Sequence, residues 1–105
     1  MPKYVLTYHG PGHMPEGEEE MAQLMERWGA WFASIGEDLV DGGNPFSQAR
    51  TVGADGSVSD AERADPTTGY SVVNAADIDA ACGHAKGCPV LDHGGNVQVL
   101  EAIDM

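Results

Sequence analysis

Basic residues are scarce in this 105-residue chain, which has five lysines and arginines against 17 aspartates and glutamates and a net charge of −12 with neutral histidines. Nucleic-acid surfaces need clustered cations to displace counterions, and the cations here are scattered along the chain. The negative field also opposes binding to anionic membranes. The composition therefore predicts a protein with neither nucleic acid nor a membrane as its partner.

Cysteine and long apolar runs are also scarce. The two cysteines, Cys82 and Cys88, are too few for a disulfide framework and lack Cys-x-x-Cys spacing, and Cys82 is expected to be buried. No apolar run approaches membrane-spanning length, and the N-terminal residues lead straight into a strand pattern. Phosphate-binding glycine loops, dinucleotide fingerprints and nucleophile elbows are absent from the sequence. These features predict a cytoplasmic protein with reduced cysteines and no cofactor.

The longest amphipathic stretch covers residues 15–35. Pro15 suits the first helical position, the glutamates after it complement the helix dipole, and Gly36 is placed to end the helix. Large apolar residues recur at helical spacing between these limits. They are Met21, Leu24, Met25, Trp28, Trp31, Phe32 and Ile35. The stripe predicts a helix that packs against a core or against a second copy of the chain.

Four strand patterns and a second helix complete the predicted fold. The strands cover residues 4–9, 38–41, 69–75 and 97–103, and the helix begins at Asp77 and ends before Gly87. A small hairpin, residues 49–52 and 57–59, surrounds the turn pair Asp55-Gly56. Without the hairpin, the order is the βαββαβ of a ferredoxin-like α+β fold, in one domain spanning residues 1–105.

The first strand is apolar on both faces. Tyr4, Leu6 and Tyr8 point one way, and Val5, Thr7 and His9 point the other way, because side chains alternate along a strand. Such a strand belongs at the centre of its sheet. Since the two helices cover one face, a second copy of the sheet is the simplest cover for the other. We therefore expect a homodimer joined sheet to sheet.

A series of short motifs resembles a known family along nearly the whole chain. The motifs are Lys3-Tyr4-Val5-Leu6, Trp28-Gly29-Ala30-Trp31-Phe32, Leu39-Val40-Asp41-Gly42-Gly43, Ala49-Arg50-Thr51-Val52, Gly69-Tyr70, Cys88-Pro89 and Val97-Gln98-Val99. In this order and spacing they resemble the YCII-related, or DGPF-type, proteins. The resemblance implies a dimeric α/β barrel, the fold of muconolactone isomerase and of cofactor-free antibiotic-biosynthesis monooxygenases. It does not define a reaction, because this fold hosts many functions.

The chain differs from the family patterns in two motifs. Only Asp60 of the Asp-Gly-Pro-Phe signature is present, since Ala61, Glu62 and Arg63 follow it. The YciI-type branch has a proposed His/Asp active site whose histidine lies on the first helix, where this chain has Leu24 or Met25. These differences support a second hypothesis, a non-catalytic ligand-binding or regulatory module.

His9 and Asp41 are the predicted catalytic residues. In the ferredoxin-like order, strands one and two run parallel with one strand between them, so both residues are expected at or near one end of the sheet, roughly 10 Å apart. A histidine beside a carboxylate can act as a general base on a small carbon acid, as in an isomerase or lyase. The alternative is that His9 only ends its strand and that Asp41 caps the turn at Gly42 and Gly43.

Five further residues are predicted to bind a small-molecule substrate. Arg50 can bind a carboxylate or pair with surface acids, and the hydroxyls of Tyr8 and Tyr70 can line a pocket if their rings are not simply buried. His13 and Asn44 lie in the loops that follow the first two strands. The histidines lack the spacing that would define a metal site, and none is predicted.

Overall fold

The computed structural model describes residues 2–10, 17–46, 48–60 and 67–103, which form two α-helices and two antiparallel sheets. Two short 3₁₀-helices, Gly36–Asp38 and Pro89–His93, follow the α-helices. The elements in chain order are β1 (Lys3–His9), α1 (Glu18–Ile35), β2 (Leu39–Asp41), β3 (Arg50–Val52), β4 (Val58–Asp60), β5 (Thr67–Asn74), α2 (Ile78–Ala85) and β6 (Asn96–Ala102).

The main sheet has the strand order β2-β5-β1-β6, and each neighbouring pair is antiparallel. β1 pairs with β6 along its whole length and with β5 on its other side, so the prediction that β1 is central is confirmed. β1 and β2 run parallel with β5 between them, as predicted. This α+β arrangement is compatible with a ferredoxin-like fold.

One face of the sheet packs against both helices. Tyr4, Leu6 and Tyr8 of β1 are buried there. They share one core with residues of β5, α1 and α2, and the buried members from these elements are Val73, Trp31, Ile35, Ala81 and Ala85. Full burial of a large apolar side chain contributes about 1.5–3 kcal/mol, so this layer is a large source of stability for the fold.

Helix α1 packs through its second half. The indole N–H of Trp31 donates a hydrogen bond to the backbone carbonyl of His84 at 2.9 Å, which connects α1 to α2. Gly36 follows the last turn with a φ of 66°, which confirms the predicted end of the helix. Met21 and Met25 of the predicted apolar stripe are exposed in the single chain. The predicted start at Pro15 lies outside the described residues.

Helix α2 begins at a side-chain cap. The Asp77 carboxylate accepts a hydrogen bond from the backbone N–H of Ala80 at 2.8 Å, as its predicted capping role requires. Cys82 is only half-buried, and Cys88, beyond the helix, is the buried cysteine. The prediction for Cys82 is wrong because it follows Ala81 by one residue, a turn of about 100° away from the buried stripe.

Strands β3 and β4 form the predicted hairpin as a separate two-stranded sheet. All six strand residues are exposed. At the turn, the backbone N–H and the hydroxyl of Ser57 donate to the Asp55 carboxylate, and these hydrogen bonds lower the pKa of Asp55. Gly56 has a φ of 87°, which suits the predicted Asp-Gly turn.

The second face of the main sheet, which we call the open face, has no described helix over it. It carries Val5, Thr7 and His9 of β1, together with their cross-strand partners on β5 and β6. Helices on one side only give a flat body with principal extents of 44 × 42 × 19 Å. No helix among the described residues has the length and apolarity required to cross a membrane.

Candidate functional site

Four polar side chains lie next to one another on the open face. Thr7 Oγ1 is 2.7 Å from Nε2 of His9. Thr7 is the cross-strand partner of Tyr70, and such partners have Cβ atoms about 5 Å apart. The Tyr70 hydroxyl in turn lies 3.5 Å from Oδ2 of Asp41. We call His9, Thr7, Tyr70 and Asp41 the polar row.

His9 forms one end of the polar row and is 7% exposed. The register of β1 and β5 shifts between Tyr8 and His9, so that His9 lies opposite Thr67. A bulge of this kind redirects a side chain at the end of a strand. Nδ1 of His9 lies 3.4 Å from the Thr67 hydroxyl, so both ring nitrogens face hydroxyl groups. Because a hydroxyl can donate or accept, each of these two ring nitrogens has a group that can serve as its hydrogen-bond partner.

Asp41 forms the other end of the polar row and caps a turn. Its Oδ1 accepts a hydrogen bond from the backbone N–H of Gly43 at 2.8 Å, which confirms the alternative interpretation of Asp41 as a capping residue. Gly43 has a φ of 75°, and a Cβ there would lie 1.7 Å from the carbonyl oxygen of Tyr70. Only glycine fits this position, so the turn holds the Asp41 carboxylate next to β5.

His9 and Asp41 do not lie at the same level of the sheet. Asp41 is opposite Val72, which is opposite Val5, whereas His9 is four residues further along β1. Four residues span roughly 13 Å, in addition to the two strand spacings. The prediction that both residues lie at or near one end of the sheet is wrong, because β2 is three residues long and pairs with Val72 and Val73, near the C-terminal end of β5. Thr7 and Tyr70 lie between the two predicted catalytic residues.

Tyr8 lies on the opposite, helix-covered face. Its hydroxyl donates to Ser71 Oγ at 2.5 Å, and its ring packs edge-on against Trp28 and Trp31. Burial raises the pKa of Tyr8 above its ordinary value. The side-chain period of two puts Tyr8 in the core and its neighbours Thr7 and His9 on the open face. Tyr8 therefore does not join the other predicted residues of β1.

Arg50 lies in the hairpin and is not part of the main sheet. Its guanidinium pairs with the carboxylate of Asp60, its cross-strand partner, at 3.2 Å. Both side chains are exposed, and exposed pairs of this kind contribute about 0–1 kcal/mol. The alternative interpretation, an arginine paired with a surface acid, is confirmed by this contact.

Asn44 and Tyr70 are adjacent at the β2 edge of the sheet. The Asn44 carbonyl accepts a hydrogen bond from the Tyr70 N–H at 3.4 Å. Phe46, a residue that the sequence analysis did not identify, stacks on Tyr70 with ring centroids 5.7 Å apart and planes inclined by 16°. In the sequence, Phe46 could have been identified as a large aromatic residue directly after the turn that follows Asp41. His13 lies outside the described residues.

The described residues include no group of three or more histidine, cysteine, aspartate or glutamate residues that could hold a metal ion. His84 is instead a structural residue. Its Nε2 lies 3.5 Å from Oδ2 of Asp38, and its carbonyl accepts the Trp31 hydrogen bond. The pair joins α2 to the 3₁₀-helix after α1.

Protein-family models give no match to this chain, and no curated protein matches its sequence. The structure defines an α+β protein with one helix-covered and one open sheet face. Its distinctive surface is the polar row on the open face.

Proposed function

We propose that the protein binds a small organic molecule on the open face of its main sheet, in contact with the polar row. The observation that carries this proposal is the combination of apolar and polar groups on that face. Val5 pairs with Val72 on one side and with Leu100 on the other, which gives an apolar strip across three strands. The polar row lies beside this strip. Small-molecule sites typically combine an apolar lining with a few polar groups that fix orientation.

The apolar strip is unusual for a sheet face exposed to water. A solvated antiparallel face normally carries polar residues at alternate positions. Leu100 is exposed, and Val5 and Val72 are half-buried in the single chain. Apolar groups that meet water in this way favour a ligand or a second protein surface, because each buried CH₂ group contributes about 0.8 kcal/mol.

The quaternary part of the proposal is a homodimer in which two sheets face each other, as in the dimeric α/β barrels of the YCII-related proteins. The motif resemblance and the apolar strip support it. A cytoplasmic location belongs to the same proposal. Sedimentation equilibrium at micromolar protein concentration should give the mass of a dimer, and a monomer would contradict the face-to-face arrangement.

A fragment screen by methyl NMR tests the binding proposal. Val72 and Val73 are neighbours in sequence on opposite faces of β5, so their methyl groups form a matched pair. Ligands of the open face should shift the methyl signals of Val5 and Val72 and leave those of Val73 and Leu6 unchanged. Shifts confined to Val73 and Leu6, or none at all across a diverse neutral and charged library, would contradict the proposal.

A variant of the polar row provides the second arm of this test. Thr7→Val removes a hydroxyl with little change in shape, and the resulting loss of one ligand hydrogen bond should weaken binding by about tenfold. Thr51→Val makes the same change on the exposed hairpin and serves as the control. Equal affinities for the two variants would argue against a role for the polar row.

A second candidate function is isomerase- or lyase-like proton transfer with His9 as the general base. The observation in its favour is the near-complete burial of His9 and its 2.7 Å contact with Thr7, which fixes the imidazole ring. Asp41 would then bind the substrate and would not act directly on His9. For a ligand from the screen that is also turned over, His9→Gln should abolish turnover and retain binding, and unchanged turnover would exclude this chemistry.

A further inference from the structure

The Asp41 end of the polar row combines a carboxylate with two stacked aromatic rings. Tyr70 connects them, because its hydroxyl contacts Asp41 and its ring stacks on Phe46. We propose that this cluster, Asp41, Tyr70 and Phe46, binds the ammonium group of an organic cation. The inference rests on the proposed ligand binding at the open face and adds the chemical class of the ligand.

The carboxylate of Asp41 is oriented and has no cationic partner in the described part of the chain. Gly43 N–H donates to one oxygen, and the Tyr70 hydroxyl lies within reach of the other. The ion pairs among the described residues join other acids, namely Arg27 with Asp92, Arg50 with Asp60, and His84 with Asp38. Asp41 therefore has a negative charge that remains available to a cation from solution.

The aromatic pair provides the second half of the site. Phe46 is 47% exposed although it stacks on Tyr70, so part of its ring surface is accessible. A cation within about 6 Å of an aromatic ring face is attracted by the ring quadrupole, and the attraction is about 0.5–2 kcal/mol. Quaternary ammonium groups suit such a surface because they combine a positive charge with apolar methyl groups.

Net charge and ligand count both favour an organic cation over other ligands. The net charge of −12 attracts cations and repels anions along the whole approach. A metal ion such as Ca²⁺ takes six to eight oxygen ligands, whereas the described residues include no group of three or more candidate ligand side chains that could hold one. One carboxylate beside two rings matches an ammonium group.

Choline and its uncharged isostere, dimethylbutanol, in which carbon replaces the quaternary nitrogen, are the probes for this site. The two molecules have nearly the same shape, so a difference in affinity reports the charge. In methyl and aromatic NMR titrations of the wild-type protein, choline should bind about tenfold more tightly than the isostere and shift the signals of Phe46 and Tyr70. Equal affinities of the wild-type protein for choline and dimethylbutanol would contradict the inference.

Three variants test which groups contribute to choline binding. Asp41→Asn keeps an oxygen that can accept from Gly43 N–H and removes the charge, so choline affinity should fall by about tenfold. Phe46→Leu should reduce it by a few-fold, since only the ring contribution is lost. Asp79→Asn removes the same charge from the exposed first turn of α2 and is the matched control. Loss of affinity in Asp41→Asn and Asp79→Asn to the same extent would show a general field effect and contradict the site.

The NMR titrations distinguish the absence of the ammonium site from the absence of any ligand site on the open face. If neutral or anionic fragments shift the Val5 and Val72 methyl signals and choline shifts nothing, the open face binds ligands but the ammonium site is wrong. If no compound of any charge shifts the open face, both proposals are wrong. Raising the salt concentration should weaken choline binding and leave the isostere unaffected, because salt screens the interaction of exposed charges.

Discussion

The two faces of β1 differ in environment although they belong to one seven-residue strand. On the helix-covered face, Tyr4, Leu6 and Tyr8 are all buried in the core. On the open face, Val5 and Thr7 are half-buried, whereas His9 at the end of the strand is buried. The large side chains of one face therefore stabilise the fold, whereas Val5 and Thr7 on the other face remain partly accessible for binding. The comparison predicts that mutations on the two faces have separable effects.

The largest difference between the faces is expected for truncations of apolar side chains. Leu6 is 0% exposed, and Leu6→Ala should lower the free energy of unfolding by about 3 kcal/mol because it leaves a cavity in the core. Val5→Ala should cost about 1 kcal/mol or less in the single chain. Urea denaturation, monitored by the tryptophan fluorescence of α1, measures both values.

The dependence on protein concentration adds information about the open face. The cost of Leu6→Ala should not change with concentration, whereas the cost of Val5→Ala should rise with it if a second sheet covers Val5 in the dimer. A Val5→Ala cost as large as that of Leu6→Ala at every concentration would remove the distinction between the two faces.

A smaller difference is expected for the two tyrosine hydroxyls. Tyr8→Phe removes the donor to Ser71 in the core and should cost about 1 kcal/mol, because the Ser71 oxygen loses a buried partner. Tyr70→Phe removes an exposed contact of 3.5 Å to Asp41 and should leave the free energy of unfolding nearly unchanged. Thermal unfolding of both variants, compared with the wild type, is the measurement. A larger loss in Tyr70→Phe would contradict the assignment of faces.

Alkaline pH should also weaken the helix-covered layer. Burial raises the pKa of the Cys88 thiol to about 11, above its value of 9.0 in the unfolded chain. The unfolded state therefore releases its proton first, so the stabilisation is complete below pH 9 and is lost as pH rises towards 11. At about pH 10 the wild type should lose about 1 kcal/mol more than Cys88→Ala does, relative to neutral pH.

The control for the cysteine prediction is the same comparison at neutral pH, where the Cys88 thiol is protonated in both the folded and the unfolded state. Buried Tyr8 also has a raised pKa and will contribute in every variant, so the difference between wild type and Cys88→Ala is the informative quantity. Identical alkaline profiles for these two proteins would contradict the environment assigned to Cys88.

The elements of the fold follow from local sequence signals. Alternation along β1, the Asp77 cap and the glycine at the end of α1 are each encoded within a few residues, and the structure confirms them. The central position of β1 follows from its apolar residues on both faces. Burial is less predictable where it depends on neighbours distant in sequence, as the buried Cys88 beyond the end of α2 shows.

The candidate site was less predictable because it depends on strand register. Whether Asp41 lies level with His9 or with Val5 is decided by how β2 pairs with β5, and the residues that pair are about 30 positions apart in the chain. The register shift between Leu39 and Asp41 and the left-handed Gly43 settle that pairing. The stacking of Phe46 on Tyr70 also joins residues that are distant in the chain. Residue types at the site could be predicted, but their order along the open face could not.

The flat shape of the single chain has a consequence for its hydration. A body of 44 × 42 × 19 Å has more surface for its volume than a sphere of the same mass, so more of its surface meets water. Two such bodies stacked on their open faces would be nearly as thick as they are wide. Association would thus change a thin body into a nearly isometric particle, with the apolar strip covered between the two sheets.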